Sequence, residues 1–244
     1  MSTDIETFKK SNKLIESYFH EWDKMELILL NSLLIKFWET KHKDLVIKKE
    51  GFIVSYKDLR ELMYLTEDNN YKSIIRTSLL KIKETTIVLN NFNEYGRLWT
   101  SFIHEFGDLK EYSQSDKNQM VEITLNKKLF DVLTDNKYFS MLDKRINKYR
   151  SKYTLRLYDL IKMKSVQHNP KTKEKNFIVV KNLAEMNEWF ITKHKYISKF
   201  KHHLLKSQKD LILDGLIDSL HIEYFSKEVH FVFNKEMFNP ELFD

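Results

Sequence analysis

Apolar and polar residues alternate along the chain in blocks that predict helices and strands in a recurring order. The apolar stretch from Trp22 to Trp38 has helical spacing and predicts a long, buried helix. β-branched and aromatic runs predict strands, and the polar clusters between them predict turns. In the first part of the chain these patterns predict a strand at 51–56, helices at 57–65 and 70–84, strands at 86–91, 97–106 and 119–125, and helices at 126–133 and 151–163. In the second part they predict a strand at 177–180, helices at 181–190 and 196–213, and a hairpin of 221–225 with 229–233.

The second part of the chain repeats the first in detail. Two predicted helices share the spacing Y-x-S-x5-L-L-K at an offset of 125 residues, in Tyr71–Lys81 and Tyr196–Lys206. An Ile-Val pair in a predicted strand precedes each helix at the same offset, at 53–54 and 178–179. Each unit is therefore predicted as strand, helix, turn, helix, strand, strand, which is the order of a winged helix. We expect an α+β fold of two tandem winged-helix domains related by a pseudo-two-fold, at residues 1–164 and 165–244 and joined near 164–176.

In a winged helix the second helix of each pair enters the major groove of DNA. Both second helices have an apolar face for the core, formed by Ile75, Leu79 and Ile82 in one and by Ile197, Phe200, Leu204 and Leu211 in the other. The opposite faces carry the candidate DNA-binding residues: Lys72, Ser73, Arg76, Thr77 and Lys83 in the first helix, and Lys199, Lys201, His202, His203, Lys206 and Lys209 in the second. Arg76 is the candidate for a bidentate guanine contact. The alternative is that both helices are ordinary amphipathic elements with solvated outer faces.

Charge is distributed unevenly along the chain. The formal net charge is +6, yet residues 127–209 carry 21 basic and 7 acidic side chains. Residues 1–126 carry 18 basic and 20 acidic side chains, and residues 210–244 carry 2 and 8. An excess of positive charge in one third of the chain predicts binding to a polyanion, most simply nucleic acid. A lysine-rich surface that only contacts solvent is the alternative.

Composition excludes several classes of function. With four Gly, two Pro and no Cys, the chain cannot contain a glycine-rich phosphate loop, a disulfide framework or a zinc finger. It also contains no H-E-x-x-H motif, no His-x-His motif and no pair of carboxylates spaced as in a nuclease. We therefore expect a protein that is not an enzyme and has no cofactor, no metal site and no membrane segment. The absence of cysteine favours a reducing cytoplasm.

The middle of the chain resembles the replication initiator proteins of iteron plasmids. The resemblance lies in Val121-Glu-Ile-Thr-Leu-Asn126, Leu129-Phe130 and, above all, Ser151-Lys-Tyr-Thr-Leu-Arg-Leu-Tyr-Asp-Leu-Ile161. Lys10–Ile15 and Phe200–Leu205 are similar to the opening and the second recognition helix of that family, so the resemblance spans about residues 8–234. Two departures are visible. The family tends to have arginines where this chain has Lys201-His202-His203, and the second wing is shortened to the turn at 226–228.

This resemblance implies a non-enzymatic initiator of plasmid replication in the bacterial cytoplasm, associated with the plasmid and the nucleoid. It implies that both winged helices bind directly repeated double-stranded origin DNA (iterons), and that binding helps to open the origin. The implied protein partners are the host replication initiator, the replicative helicase and a second copy of the chain. In this family a homodimer, in equilibrium with the monomer and formed through the first domain, represses the protein's own gene.

Three other functions are compatible with the sequence. A tandem winged-helix transcription regulator would use the same two helices without opening an origin. A rolling-circle nicking enzyme would need a tyrosine nucleophile, which the chain can supply, and a His-x-His metal site, which it lacks. A structural or partner-binding protein with a basic surface would use neither helix on DNA.

Overall fold

The structure is a computed structural model that describes residues 7–19, 21–42, 51–68, 70–90, 97–109, 119–134, 139–167, 176–217 and 219–234. The chain folds into two compact units that divide between Arg150 and Ser151. No helix within these described ranges is both long and apolar enough to cross a membrane.

The first unit contains eight strands and five α-helices among the described residues, followed by a short 3₁₀ helix. In chain order they are β1 (Thr7–Ser11), α1 (Asn12–Ile15), β2 (Tyr18–Phe19), α2 (Lys24–His42), β3 (Gly51–Ser55), α3 (Tyr56–Leu62), α4 (Tyr71–Glu84), β4 (Ile87–Asn90), β5 (Arg97–Thr100), β6 (Ile103–Asp108), β7 (Met120–Leu125), α5 (Lys127–Thr134), β8 (Phe139–Asp143) and the 3₁₀ helix Lys144–Lys148. The second unit contains α6 (Lys152–Gln167), β9 (Asn176–Asn182), α7 (Leu183–Phe190), α8 (Ser198–Leu213), β10 (His221–Tyr224) and β11 (Glu228–Asn234).

The two units share one sheet topology around their helix pairs. In the first, β3 precedes α3 and α4 and pairs antiparallel with β7, which also pairs with β6. In the second, β9 precedes α7 and α8 and pairs antiparallel with β11, which also pairs with β10. A strand, two helices and a hairpin whose last strand returns to the first strand form a winged helix. The predicted α+β fold with two winged-helix units is confirmed.

The apolar faces predicted for α4 and α8 form the core beneath each helix. Ile75, Leu79 and Ile82 of α4 have no exposed surface, and the same is true of Phe200 and Leu204 of α8. Burial of each such side chain stabilises the fold by about 1.5–3 kcal/mol. This spacing therefore fixes which side of each helix faces away from the core.

The long helix α2 is buried on nearly all sides, as its sequence predicts. Its polar residues Asn31 and Ser32 are buried as well, and each has a hydrogen-bond partner. Lys10 Nζ donates to Asn31 Oδ1 at 3.0 Å, and Asn31 Nδ2 donates to Asn147 Oδ1 at 3.1 Å. Ser32 Oγ donates to the carbonyl of Ile28 at 2.9 Å. Because buried polar groups are costly only when unpaired, this network lets the helix occupy the core.

The single strand predicted at 97–106 is wrong. The structure has two strands there, β5 and β6, in different sheets, because β5 pairs with β4 whereas β6 pairs with β7. The neighbouring residues Phe102 and Ile103 are both buried, at 1% and 0% exposure, which breaks the alternation that a continuous strand requires. The chain thus passes from one sheet to the next at this point.

The helix α6 belongs to the second unit of the structure, whereas the sequence interpretation placed it at the end of the first domain. Thr154 Oγ1 donates to Ser207 Oγ of α8 at 2.9 Å, and both residues are buried. The ring of Tyr153 lies 5.2 Å from that of Phe190. The structural division therefore falls before α6, and most of the linker predicted near 164–176 lies outside the described residues.

Candidate nucleic-acid interface

The outer face of α8 carries six basic or histidine side chains, all of them exposed: Lys199, Lys201, His202, His203, Lys206 and Lys209. Phe200, Leu204 and Leu211 anchor the opposite face, so the helix cannot rotate without exposing them. Among the described residues, no carboxylate lies within ion-pair distance of Lys199, Lys206 or Lys209. The described carboxylates therefore do not neutralise the positive charge of Lys199, Lys206 and Lys209.

Three rings form a cluster at the start of α8. Tyr153 of α6 stacks on His203 with the ring centroids 4.3 Å apart, and its hydroxyl lies 2.8 Å from His194 Nε2. The side chain of Asn187 holds His194 in place, because it accepts from the His194 amide at 2.7 Å and donates to the His194 carbonyl at 2.8 Å. The cluster positions one histidine on the helix and one on the turn before it.

The two histidines of this cluster, His194 and His203, have pKa values lower than that of free histidine. Burial lowers the pKa of His203, and the neighbouring His202, His194, Lys152 and Lys206 lower it further. Burial also lowers the pKa of His194, with additional effects of Lys152 and Lys199. Both shifts favour the uncharged rings, whereas an approaching phosphate would favour their protonated forms.

The wing of the second unit is short and acidic. The turn between β10 and β11 closes with the Phe225 amide donating to the Glu228 carbonyl at 2.9 Å. Glu228 Oε1 lies 2.7 Å from His230 Nε2, and Glu223 lies 4.0 Å from the same ring. On the helix side of the wing, Lys201 Nζ lies 5.7 Å from the centre of the Tyr224 ring, a cation–π arrangement. The carboxylates of Glu223 and Glu228 disfavour a phosphate contact from this wing.

The outer face of α4 contacts the wing of the first unit, which is the hairpin of β6 and β7. Ser73, Arg76, Thr77 and Lys83 are exposed and Lys72 is half-buried. Arg76 Nη1 donates to Asp108 Oδ2 of β6 at 2.6 Å, and Tyr56 Oη donates to Asp108 Oδ1 at 2.8 Å. Lys83 Nζ lies 5.9 Å from the centre of the Phe106 ring. The face of α4 is thus partly neutralised, in contrast to that of α8.

The helix α6, which contains the family-like motif, fixes the helix pair of the second unit. Arg156 and Asp159 are buried, with Nη1 and Oδ2 3.4 Å apart. Arg156 Nε donates to the carbonyl of Trp189 at 3.1 Å, and Trp189 Nε1 donates to the carbonyl of Arg156 at 3.3 Å. These bonds join α6 to the end of α7. The motif therefore holds the C-terminal end of α7 against α6.

The turn between α7 and α8 has a strained start. Ile191 adopts a left-handed conformation with φ of 55°, which a β-branched residue rarely does. Lys152 Nζ of α6 donates to the Ile191 carbonyl at 2.6 Å. The Ile191 amide donates to the Glu188 carbonyl at 3.4 Å. Such strain costs about 1–3 kcal/mol and persists only where surrounding contacts enforce it.

Sequence reasoning missed four residues that shape these faces: Tyr56, Asp108, Tyr153 and His194. Tyr153 lies inside the family-like motif, which is the one sequence signal for it. The other three act through contacts between elements that periodicity does not report. No group of three or more metal-binding side chains comes together in the part of the chain that the structure describes.

Comparison with known proteins gives one family and two related folds. The family model described as initiator replication protein, WH1 matches residues 7–162. The solved structure of the Pi initiator protein in complex with iteron DNA is similar, with a TM-score of 0.56 and 13% identity over 95% of this chain and 98% of that one. Domains 2 and 3 of RctB are similar with a TM-score of 0.53 and 14% identity, over 86% of this chain and 80% of that one. No curated protein sequence matches the chain significantly.

At such low identity the two solved structures establish the fold alone, and they agree with the winged-helix topology described above. The family match also establishes family membership, because it covers well over half of the chain and reaches from β1 into α6. The chain therefore belongs to the initiator replication protein family, with the family's first winged-helix domain in the matched region.

Proposed function

We propose that the protein is a plasmid replication initiator that binds directly repeated double-stranded DNA at an origin through α4 and α8. The observation that carries the proposal is the outer face of α8, an exposed row of cations without ion-pair partners on the second helix of a winged helix. Membership of the initiator family supports it, and so does the similar fold of an initiator that was solved with iteron DNA.

The two helices contribute differently to binding in this proposal. Lys199, Lys206 and Lys209 neutralise phosphates, which gives affinity for any sequence and a strong dependence on salt. His202 and His203 donate to phosphates or base edges. On α4, Arg76 reads a guanine, while Ser73 and Thr77 lie on the same exposed face for further polar contacts.

The finer functions rest on the family resemblance. We propose that binding helps to open the origin, that the host initiator and the replicative helicase are then recruited, and that no covalent chemistry or cofactor is involved. A homodimer in equilibrium with the monomer represses the protein's own gene. The edge strand β5, where Trp99 is 60% exposed, is the candidate surface for pairing with a second copy.

A plasmid-maintenance assay tests the proposal. The gene and its flanking DNA are placed on a selectable circle that lacks any other origin. We expect the wild-type gene to maintain the circle, Lys206→Glu on α8 to abolish maintenance, and Lys128→Glu to have no effect. Lys128 is an exposed lysine of α5 in the same basic third of the chain, so the control makes the same change of charge elsewhere.

Three results would contradict this assignment. Loss of the circle with the wild-type gene, combined with specific binding to the flanking DNA, would indicate the transcription regulator instead. If the Lys206→Glu variant maintained the circle at the wild-type level, α8 would not be the helix that binds the origin. A 5′ end linked covalently to tyrosine after incubation with supercoiled origin DNA would indicate a nicking enzyme.

A further inference from the structure

Asp108 joins the wing of the first unit to both helices of its helix pair. Its Oδ1 accepts from Tyr56 Oη of α3 at 2.8 Å, and its Oδ2 accepts from Arg76 Nη1 of α4 at 2.6 Å. Tyr56 is only 1% exposed, so its hydroxyl is held by the core. The Asp108 and Arg76 side chains are 39% and 59% exposed, so the ion pair lies at the surface. Tyr56, at one end of these contacts, is therefore held in the core, and Arg76, at the other end, faces outward.

The contact with Asp108 leaves most of the Arg76 guanidinium available. A guanidinium has five N–H donors, and among the described residues the structure records one of them in use. A guanine O6 and N7 edge takes two N–H donors in one plane. The remaining donors are sufficient for that edge while the bond to Asp108 persists.

We propose that Asp108, held by Tyr56, is a positioning residue that orients Arg76 for reading a base and so makes binding by the first winged helix sequence-selective. The proposal rests on the proposed function, because it assumes that α4 faces DNA. A long exposed side chain loses rotational freedom when it binds, and a side chain already held by an ion pair has less to lose. The expected gain from this orientation is about 2- to 10-fold in affinity for the correct sequence.

The same carboxylate acts against binding to any other sequence. A negative charge beside the DNA backbone repels phosphates, and this repulsion does not depend on the bases. Asp108 thus raises affinity for the correct sequence through Arg76 and lowers affinity for all sequences through its charge. Removal of the carboxylate separates the two effects, because it changes them in opposite directions.

The test measures dissociation constants for a duplex with the protein's own repeat and for a scrambled duplex of equal length. For Asp108→Asn we expect tighter binding to the scrambled duplex and a specificity ratio about 2- to 10-fold lower. Tyr56→Phe keeps the ring and the charge on Asp108, so we expect a lower ratio with unchanged affinity for the scrambled duplex. The melting temperature is measured for each variant to verify the fold.

Two controls separate positioning from general effects. Glu105→Gln removes a different exposed carboxylate of β6, one that has no recorded contact with Arg76, and should leave the ratio unchanged. In an Arg76→Ala background, Asp108→Asn should not lower the ratio further, because the residue that it positions is gone. A purely structural role for Asp108 would lower the ratio in both backgrounds.

An unchanged ratio in a folded Asp108→Asn variant would overturn this proposal alone, provided that the wild type prefers its repeat. An equal loss of specificity with and without Arg76 would overturn it as well. A wild type without any preference for the repeat would instead contradict the proposed function, and this proposal with it.

Discussion

Lys206 gives a quantitative test of the role of α8. The side chain is exposed, belongs to the face opposite Phe200 and Leu204, and has no ion-pair partner among the described residues. Lys206→Gln removes one positive charge and keeps a long polar side chain of similar helix propensity. The apolar face is untouched, so the free energy of unfolding should change by less than about 0.5 kcal/mol.

The expected loss of affinity follows from counterion release. One phosphate contact releases about 0.9 counterion from B-DNA, so its contribution at 0.1 M salt is about 1.2 kcal/mol, or roughly eightfold in the dissociation constant. Lys206→Glu also adds repulsion, and we expect a loss of about 2 kcal/mol, or roughly thirtyfold. Both losses should be the same for specific and scrambled DNA, because phosphates carry no sequence information.

Fluorescence anisotropy with a labelled duplex at several salt concentrations measures these effects. The slope of log affinity against log salt should be lower by about 0.9 in Lys206→Gln. Lys128→Glu, which makes the same charge change on α5, should retain the wild-type affinity and slope. An unchanged slope in a correctly folded Lys206→Gln variant would refute the assignment of Lys206 to a phosphate contact.

Three further predictions concern stability, pH and association. Asp159→Ala leaves Arg156 buried without its carboxylate, so the second unit should lose about 3–5 kcal/mol in urea unfolding; a loss below about 1 kcal/mol would contradict the structural role of the pair. Burial and neighbouring cations lower the pKa of His203 below its ordinary value of 6.5, and DNA phosphates would raise it again, so affinity should increase as pH falls from 7 toward 5.5. This increase should be smaller in His203→Gln. By the same linkage, the contribution of uncharged His203 to the stability of the second unit is complete above pH 6.5 and is lost as pH falls through the lowered pKa, which urea unfolding of wild type and His203→Gln at several pH values would measure. Trp99→Ser should weaken the proposed dimer at least about tenfold in sedimentation velocity, and a wild type that stays monomeric at high concentration would contradict the role of β5.

The helices that carry the candidate interface were predictable from sequence because burial imposes helical spacing on them. Ile75, Leu79 and Ile82 mark the inner side of α4, and the outer side then follows by elimination. The hairpin of β10 and β11 was predictable as well, since its two strands are neighbours in sequence and rich in residues that favour strands.

The elements missed by sequence analysis depend on distant partners. β1 and β8 pair in a sheet although more than a hundred residues separate them, and neither has a strong local pattern. The switch of sheets near Phe102 is set by pairing with β4 on one side and β7 on the other, not by the residues of the strand.

The same limit applies to the candidate interface. Its positive charges are visible in the sequence, but which of them are neutralised is not. Arg76 and Asp108 are 32 residues apart in sequence, and only the packing of α4 against β6 brings them together. The stacking of Tyr153 on His203 likewise depends on the contact between α6 and α8. Charge balance across elements is a tertiary property, so periodicity cannot report it.

DNase I footprinting of the purified protein on the DNA that flanks its own gene tests the central claim most directly. We expect protection of direct repeats of about two helical turns, because each bound chain would place both α4 and α8 on the DNA. Protection should be lost in Lys206→Glu and retained in Lys128→Glu. Uniform binding with no protected repeat, or an identical footprint with Lys206→Glu, would contradict the assignment of α8 as a helix that binds origin DNA.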